Sequence, residues 1–290
     1  MKKSVILSLC LSLLLINGCA TQTIQQGKDL STSGIAYAEA VNNLLDATTD
    51  RVIDFDNEET KKARLGSDLS TKIAEKNKAV VDVLTEIKEF RAHTKLLKTY
   101  FLNLQALADS PIKEDARASV KSLSDSISKL NKKAEERLTE EQKTQIGALG
   151  GLVANSIHAA KIKSALTRDA EVIGTYLALQ ENQLENITGI LKDRFQAEND
   201  LFLEEKVIAP YANKNMPLSS EWPNDRKQWL KTQFVSLQLA TANEAAKQLR
   251  SVWVDILQGK TDINSLSILI SDVNEFVTAV QALEAADKTN

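Results

Sequence analysis

LSTKIAEKNKAVVDVLTEIKEFRAHTKLLKTYFLNLQALA, residues 69–108, is the stretch of sequence that decides the fold. Steps of four and three residues alternate along it, and ten of the twelve positions reached in this way are apolar. The positions are Leu69, Ile73, Lys76, Val80, Val83, Ile87, Phe90, Thr94, Leu97, Phe101, Leu104 and Ala108. A 3.5-residue period sustained over this length is typical of a coiled-coil seam or a long bundle helix. The stretch therefore predicts a helix about 60 Å long, at ~1.5 Å per residue.

Helical spacing also precedes this stretch. From Ser33 onward, apolar residues recur every three or four positions, which places them on one helix face. That face comprises Tyr37, Val41, Leu44, Leu45, Thr48, Val52 and Phe55.

After residue 108 the sequence predicts a stop and two further helical regions. Ser110 and Pro111 form a cap and a first helical position. The next helix carries Ala116 to Ala134 and returns antiparallel, because the connection is short. Residues 139–142, TEEQ, match a capping box that opens a fourth region reaching about Val207. This region is one helix, or two with a break between Lys163 and Asp169.

An irregular segment and two last helices are predicted after that region. Residues 209–224 contain Tyr211, Met216, Trp222 and three prolines, and a loop of this length is often functional or mobile. Helix resumes over residues 225–258, stops at Gly259, and starts again at residue 261 or 262. The inward residues expected here are Trp229, Leu230, Phe234, Leu237, Ala245, Leu249, Val252, Ile256, Leu266, Leu269, Ile270, Val273, Phe276, Val277, Val280 and Leu283.

These patterns predict an all-α protein, an elongated antiparallel bundle of five to seven long helices over residues 29–290. The 290-residue chain has only 10 Gly and 4 Pro, mostly at segment ends. Apolar residues make up 43% of it, which is enough to form a core.

The N-terminus has the composition of a secretory signal peptide. Lys2 and Lys3 precede a twelve-residue apolar run at residues 5–16, which is too short to span a bilayer. Ile16-Asn17-Gly18-Cys19 follows and resembles the lipobox of bacterial lipoproteins: an aliphatic residue, a tolerant position, a small residue, then Cys. Ile16 replaces the commoner Leu, and Asn17 is larger than the usual occupant. An ordinary signal peptide or an uncleaved anchor is the alternative interpretation.

The resemblance implies that residues 1–18 are removed, that Cys19 is lipidated and that the new amino terminus is acylated. Two or more acyl chains would hold the protein stably on a membrane. In lipoproteins of two-membrane bacteria, Asp after the Cys favours the inner membrane. Ala20 stands there, so we expect the outer membrane, with the protein facing the periplasm. Residues 19–28 are interpreted as the lipidated N-terminus and an extended tether of at most ~30 Å.

Charge and cysteine content exclude several classes of function. The net charge of −3 becomes −5 once Lys2 and Lys3 are removed, and signs are interspersed, which gives no footprint for nucleic acid. Cys10 lies in the signal segment, so the mature chain would hold only Cys19 and no disulfide framework.

No catalytic set or cofactor site is predicted. Glu89 and His93 are four residues apart and share a helix face, but no second inward pair accompanies them, and a metal site in a bundle needs ligands from several helices. His93 is interpreted as a solvated or seam-edge side chain, and the other histidine, His158, as a flanking position. Lys76 and Thr94 interrupt the seam of residues 69–108, and such positions either set helix register or lie where the bundle meets solvent.

Gly147, Gly150 and Gly151 lie in an apolar stretch inside a helical pattern. Each Gly weakens a helix by about 1 kcal/mol relative to Ala. The favoured interpretation is close helix packing or a bend. The alternative is a mobile or membrane-inserting segment, an architecture similar to that of long-helix pore-forming toxins.

The sequence therefore predicts a non-enzymatic, lipid-anchored envelope lipoprotein that acts as a scaffold or partner-binding bundle. We expect membrane contact through the anchor and an envelope protein as partner. A membrane-active helical protein, or a surface exclusion or inhibitor lipoprotein, is the alternative. The oligomeric state does not follow from the sequence.

Overall fold

The protein is an all-α antiparallel bundle, which confirms the predicted fold class. The computed structural model describes residues 2–62, 69–109, 161–213, 215, 217–238, 240–260 and 263–287, with side chains described from Gln25 onward. Its helices are α1 (Lys2–Lys62), α2 (Leu69–Asp109), α3 (Lys161–Phe202), α4 (Ala209–Ala212), α5 (Trp222–Gln238), α6 (Ala240–Gln258) and α7 (Ile263–Asp287). A π-helix, Leu203–Ile208, joins α3 to α4. The helices predicted between residues 111 and 160 lie outside the described residues.

Helices α1 and α2 form an antiparallel hairpin. Glu39 pairs with Lys98 at 2.8 Å, and Asp46 pairs with Arg91. Because the residue number falls along α2 as it rises along α1, the α1–α2 connection lies at one end of the bundle. We call this the distal end and the opposite end, where Gln25 lies, the proximal end.

Helix α3 runs antiparallel to α2, toward the distal end. The Gln180 amide donates to the Thr94 hydroxyl at 3.0 Å, whereas Asp169 lies beside Tyr100, farther along α2. The π-helix that follows α3 is therefore distal as well.

Helix α6 returns the chain toward the proximal end. Arg250 pairs with Glu181 at 2.8 Å, and Trp253 packs edge-on against Tyr100 at a centroid distance of 6.0 Å. Glu181 follows Gln180, which bonds Thr94, so Glu181 lies near the level of Thr94, whereas Tyr100 lies closer to the proximal end. Trp253 is therefore more proximal than Arg250, and α6 runs toward the proximal end.

The predicted stop at Gly259 is confirmed. Gly259 adopts φ 68°, which side chains with a Cβ rarely adopt. The N–H of Gly259 bonds the Ile256 carbonyl, and the N–H of Lys260 bonds the Asp255 carbonyl, as in a Schellman cap. Helix α7 then packs back along α6 and α1, with Phe276 against the Tyr37 ring.

The core follows the predicted faces of α1 and of the proximal part of α2. Its largest fully buried side chains are Trp253, Tyr37, Tyr100, Tyr176, Phe90, Phe101, Phe276, Leu30, Leu44, Leu45 and Leu97. Three residues predicted to face inward are exposed instead: Ile73, Leu230 and Ile270. Spacing alone placed them on inward faces, but none of the described helices covers them.

Two predicted boundaries are corrected, and one open alternative is decided. Residues 25–28 are helical rather than an extended tether, and Gly27 is already buried, because α1 packs from that point. Helix α3 runs without a break through residues 163–169, which is the first of the two alternatives that the sequence left open. The segment of residues 209–224 is irregular only at its centre, between α4 and Trp222.

Candidate functional site

Two kinds of feature qualify as candidate sites: a buried polar layer inside the bundle and an exposed aromatic surface at its distal end. The predicted site residues contribute little to either. The Cys19 side chain and Gly147, Gly150 and Gly151 lie outside the described residues, as does His158.

The buried polar layer is centred on Gln180, which is 1% exposed. Its amide donates to the hydroxyls of Thr94, at 3.0 Å, and Tyr176, at 3.3 Å, and its carbonyl accepts from Tyr37 at 3.4 Å. Thr94 in turn donates to the Phe90 carbonyl. Buried polar groups without partners are costly, so this closed set favours one register of α3 against the α1–α2 hairpin.

The sequence left open whether Thr94 and Lys76 set the helix register or lie where the bundle meets solvent. Thr94 is buried and contributes to the register, whereas Lys76 is half-buried near the distal end of the hairpin. Gln180 could have been found in the same way, because it occupies the three- and four-residue seam of α3 between Leu177 and Leu184. Burial raises the pKa of the Tyr37 hydroxyl, and the nearby Glu181 carboxylate adds to the effect. Tyr37 is consequently a neutral hydrogen-bond donor and not an acid–base group.

His93 borders this layer rather than a metal site. Its ring stacks on Tyr176 at a centroid distance of 6.0 Å. Burial lowers the pKa of His93, while Glu89 acts in the opposite direction. Among the residues that the structure describes, no three His, Cys, Asp or Glu side chains are grouped as metal ligands.

A second buried polar group, Asp169, lies closer to the proximal end. It is 1% exposed and accepts two hydrogen bonds from Arg168, at 2.6 and 2.8 Å. Burial raises the pKa of Asp169, while Arg168 lowers it. The Tyr100 hydroxyl lies near this carboxylate but outside ordinary hydrogen-bond geometry. The sequence analysis did not identify Asp169, although it too lies on the α3 seam.

The distal aromatic surface surrounds the turn between α3 and α5. We define it by Ile208, Tyr211, Leu218 and Trp222, of which Tyr211 is 67% exposed. Tyr211 stacks on Trp222 at 5.6 Å, and the Trp222 indole donates to the Val207 carbonyl at 2.9 Å. Tyr211 and Trp222 are thus held against each other at the turn, and the exposed side chains of Ile208 and Leu218 lie beside them in the chain.

Pro210 explains the local geometry. Proline lacks an N–H and its ring clashes with the carbonyl four residues earlier, which widens the preceding turn. The Ala209 N–H accordingly bonds the Glu204 carbonyl, five residues back, as in a π-helix. The widened turn ends α3 and directs Tyr211 toward the start of α5.

Helix α7 is the one described helix apolar and long enough to cross a membrane, over Asn264–Leu283 with a mean hydropathy of 1.3. Its buried face belongs to the core, with Leu269 and Leu283 fully buried. Ile268 and Ile270 remain exposed on it, at 51% and 40%. Length and composition alone do not separate a core helix from a membrane span.

No family model matches the chain, and neither the curated proteins nor the solved structures searched contain a match. Functional inference therefore depends on the residues and geometry described above.

Proposed function

We propose that the protein is a lipid-anchored lipoprotein of the bacterial cell envelope that acts as a non-enzymatic, partner-binding bundle. The observation that carries the proposal is the lipobox-like Ile16-Asn17-Gly18-Cys19 after Lys2, Lys3 and a short apolar run. Ala20 after the cysteine favours the outer membrane, with the bundle in the periplasm. The helices supply rigidity and length for a scaffold.

Membrane fractionation together with the size of the product tests the anchor directly. Cys19→Ser should leave the protein unprocessed or release it from the membrane, because no acyl chain can be attached. A Cys10→Ser variant is the matched control, since Cys10 lies in the segment to be removed, and it should be processed and fractionate as the unsubstituted protein does. A Cys19→Ser protein that is both shortened and membrane-bound, as the unsubstituted protein is, contradicts the proposal.

The distal aromatic surface is the best-supported contact site for an envelope protein. Tyr and Trp are enriched in the cores of protein interfaces, where they contribute much of the binding energy. Charges of both signs flank the surface, including Glu205, Lys206 and Arg226, which suits a polar rim.

Photo-crosslinking in intact cells tests this site. A crosslinking side chain at Tyr211 should capture one specific envelope protein, whereas the same group at Glu39, exposed on the side of α1, should not. Recovery of the monomer alone from both positions counts against a partner-binding function.

A membrane-active function is the second candidate, and the apolar length of α7 favours it. The unlipidated domain, residues 20–290, should then release dye from liposomes. A scaffold should cause no leakage, so this assay separates the two candidates.

A further inference from the structure

The position of the first packed residue in α1 limits how far the bundle can stand from its anchor. Among the residues with described side chains, Gly27 is buried and Leu30 is fully buried, so the chain is part of the packed body no later than eight residues after Cys19. Eight residues span about 27 Å when fully extended and about 12 Å as a helix. The proximal end therefore stays within about 27 Å of the lipidated cysteine.

The distal end is much farther away. Helix α2 has 41 residues, which corresponds to about 60 Å at ~1.5 Å per residue. The chain enters the bundle at the proximal end, while the π-helix and Tyr211 lie beyond the distal end of α3. The eight-residue connection is thus short compared with the body that it holds.

The charges of the body favour an upright orientation over one in which α1 lies on the membrane. Along the solvent side of α1, the carboxylates of Asp50 and Asp54 are exposed, while those of Glu39 and Asp46 are paired with Lys98 and Arg91. An anionic lipid surface would repel this side. At the α6–α7 turn of the proximal end, by contrast, Lys260 is exposed beside the uncharged Gln258 and Gly259. A lysine near anionic headgroups is attracted by roughly 1 kcal/mol.

We propose that the proximal end of the bundle, including the α6–α7 turn at Lys260, faces the lipid headgroups, and that the distal aromatic surface is held away from that membrane. The inference rests on the proposed lipid anchor at Cys19. It assigns a membrane-facing surface to the fold and makes Tyr211 accessible to partners in the aqueous compartment.

Fluorescence quenching on the lipidated, full-length mature protein tests the orientation. Mature protein would be reconstituted in vesicles of phosphatidylethanolamine and phosphatidylglycerol with a headgroup-spin-labelled phosphatidylcholine. Single cysteines would be introduced by Lys260→Cys, Asn274→Cys or Asn213→Cys, all exposed positions, and labelled with a fluorophore. Because the Cys19 thiol carries lipid, each label would occupy one known place.

We expect strong quenching of the fluorophore at position 260 and weaker quenching at position 274 on α7. At position 213, quenching should not exceed the level seen in vesicles that lack the spin-labelled lipid. Quenching at 274 as strong as at 260 would show that the bundle lies on its α7 side. Strongest quenching at 213 would show the reverse orientation. Either result overturns this inference while leaving the anchor intact.

Vesicle flotation separates failure of the anchor from failure of the orientation. The lipidated protein should float with the vesicles, and Cys19→Ser protein should not. Flotation that is independent of Cys19 overturns the proposed function together with the orientation that depends on it.

Discussion

The proximal and distal parts of α2 share one apolar pattern but differ in burial. From Ile87 to Leu104, the seam residues are at most 4% exposed. Toward the N-terminus of the helix, Ile73 is 40% exposed and Val81, beside the seam, is 58% exposed. The proximal part contacts α1 through Lys98 and Glu39, α3 through Thr94 and Gln180, and α6 through Tyr100 and Trp253. A heptad pattern thus predicts which side chains share a face but not how many helices cover that face.

Truncation of one seam residue in each part should give the largest contrast. Phe101→Ala removes a fully buried ring and should lower the free energy of unfolding by about 3–5 kcal/mol. Ile73→Ala, on the same helix face, should cost less than about 1 kcal/mol, because its side chain is already partly in water. Urea unfolding of both variants measures the difference. Equal losses would show that the distal part is covered in solution.

Two glycines provide a second contrast between covered and open positions. A methyl group at Gly34 in α1 would overlap the Phe101 ring, so Gly34→Ala should lower stability by about 1–3 kcal/mol. Gly189 in α3 has no neighbouring atom within 4 Å of an added Cβ. Gly189→Ala should therefore raise stability by up to about 1 kcal/mol, because alanine has the higher helix propensity. Thermal unfolding checks both signs, and stabilisation by Gly34→Ala would contradict the α1–α2 packing.

The buried polar layer should give a smaller and coupled effect. Gln180→Leu preserves volume but leaves the Tyr37 hydroxyl without its acceptor, at a cost of about 1–2 kcal/mol. Thr94→Val removes the other side of the 3.0 Å bond between Gln180 and Thr94. The double variant should then lose less stability than the two single variants combined, because each substitution removes the same bond. Additive losses would show that Gln180 and Thr94 act independently.

The polar layer also shows what the sequence could and could not predict. Periodicity placed Tyr37, Val41 and Leu97 in the core, and the φ of Gly259 confirms the predicted stop. Periodicity also contained the signal for Gln180, as a polar residue on an apolar seam. Whether a polar seam residue sets the register or contacts solvent depends on the helix that faces it. Thr94 faces Gln180 of α3 and is buried, whereas Lys76 is only half-buried.

Features that depend on backbone geometry or on tertiary partners were not predictable in this way. Pro210 is visible in the sequence, but a proline predicts only that a helix ends or kinks and does not predict the π-helix that precedes it. The stacking of Tyr211 on Trp222 joins two elements across an irregular turn, and only the fold shows that they meet. The polar residues from Gln25 to Lys28 were interpreted as a tether, because they contain no apolar residue that would indicate a buried helix face. Gly27 is buried there, and a buried glycine adds nothing to an apolar pattern.

The smallest expected effect is the pH dependence at His93, which lies in the covered part of α2 with its ring on Tyr176. Burial favours neutral His93 in the folded protein, so its folded-state pKa is below the unfolded value of about 6.5. The unfolded chain then binds more protons than the folded one below that pH. Stability from this group is complete above about pH 6.5 and is lost as the pH falls toward the folded-state pKa.

His93→Phe preserves an aromatic ring on Tyr176 but cannot titrate. Urea midpoints of both proteins between about pH 5 and pH 8 measure the contribution of His93, because this is the range in which histidine titrates. The unsubstituted protein should lose stability faster than His93→Phe as the pH falls, while groups common to both proteins cancel in the difference. If the two curves run parallel, the His93 ring is open to solvent, and the covered part of α2 ends farther toward the proximal end than Ile87.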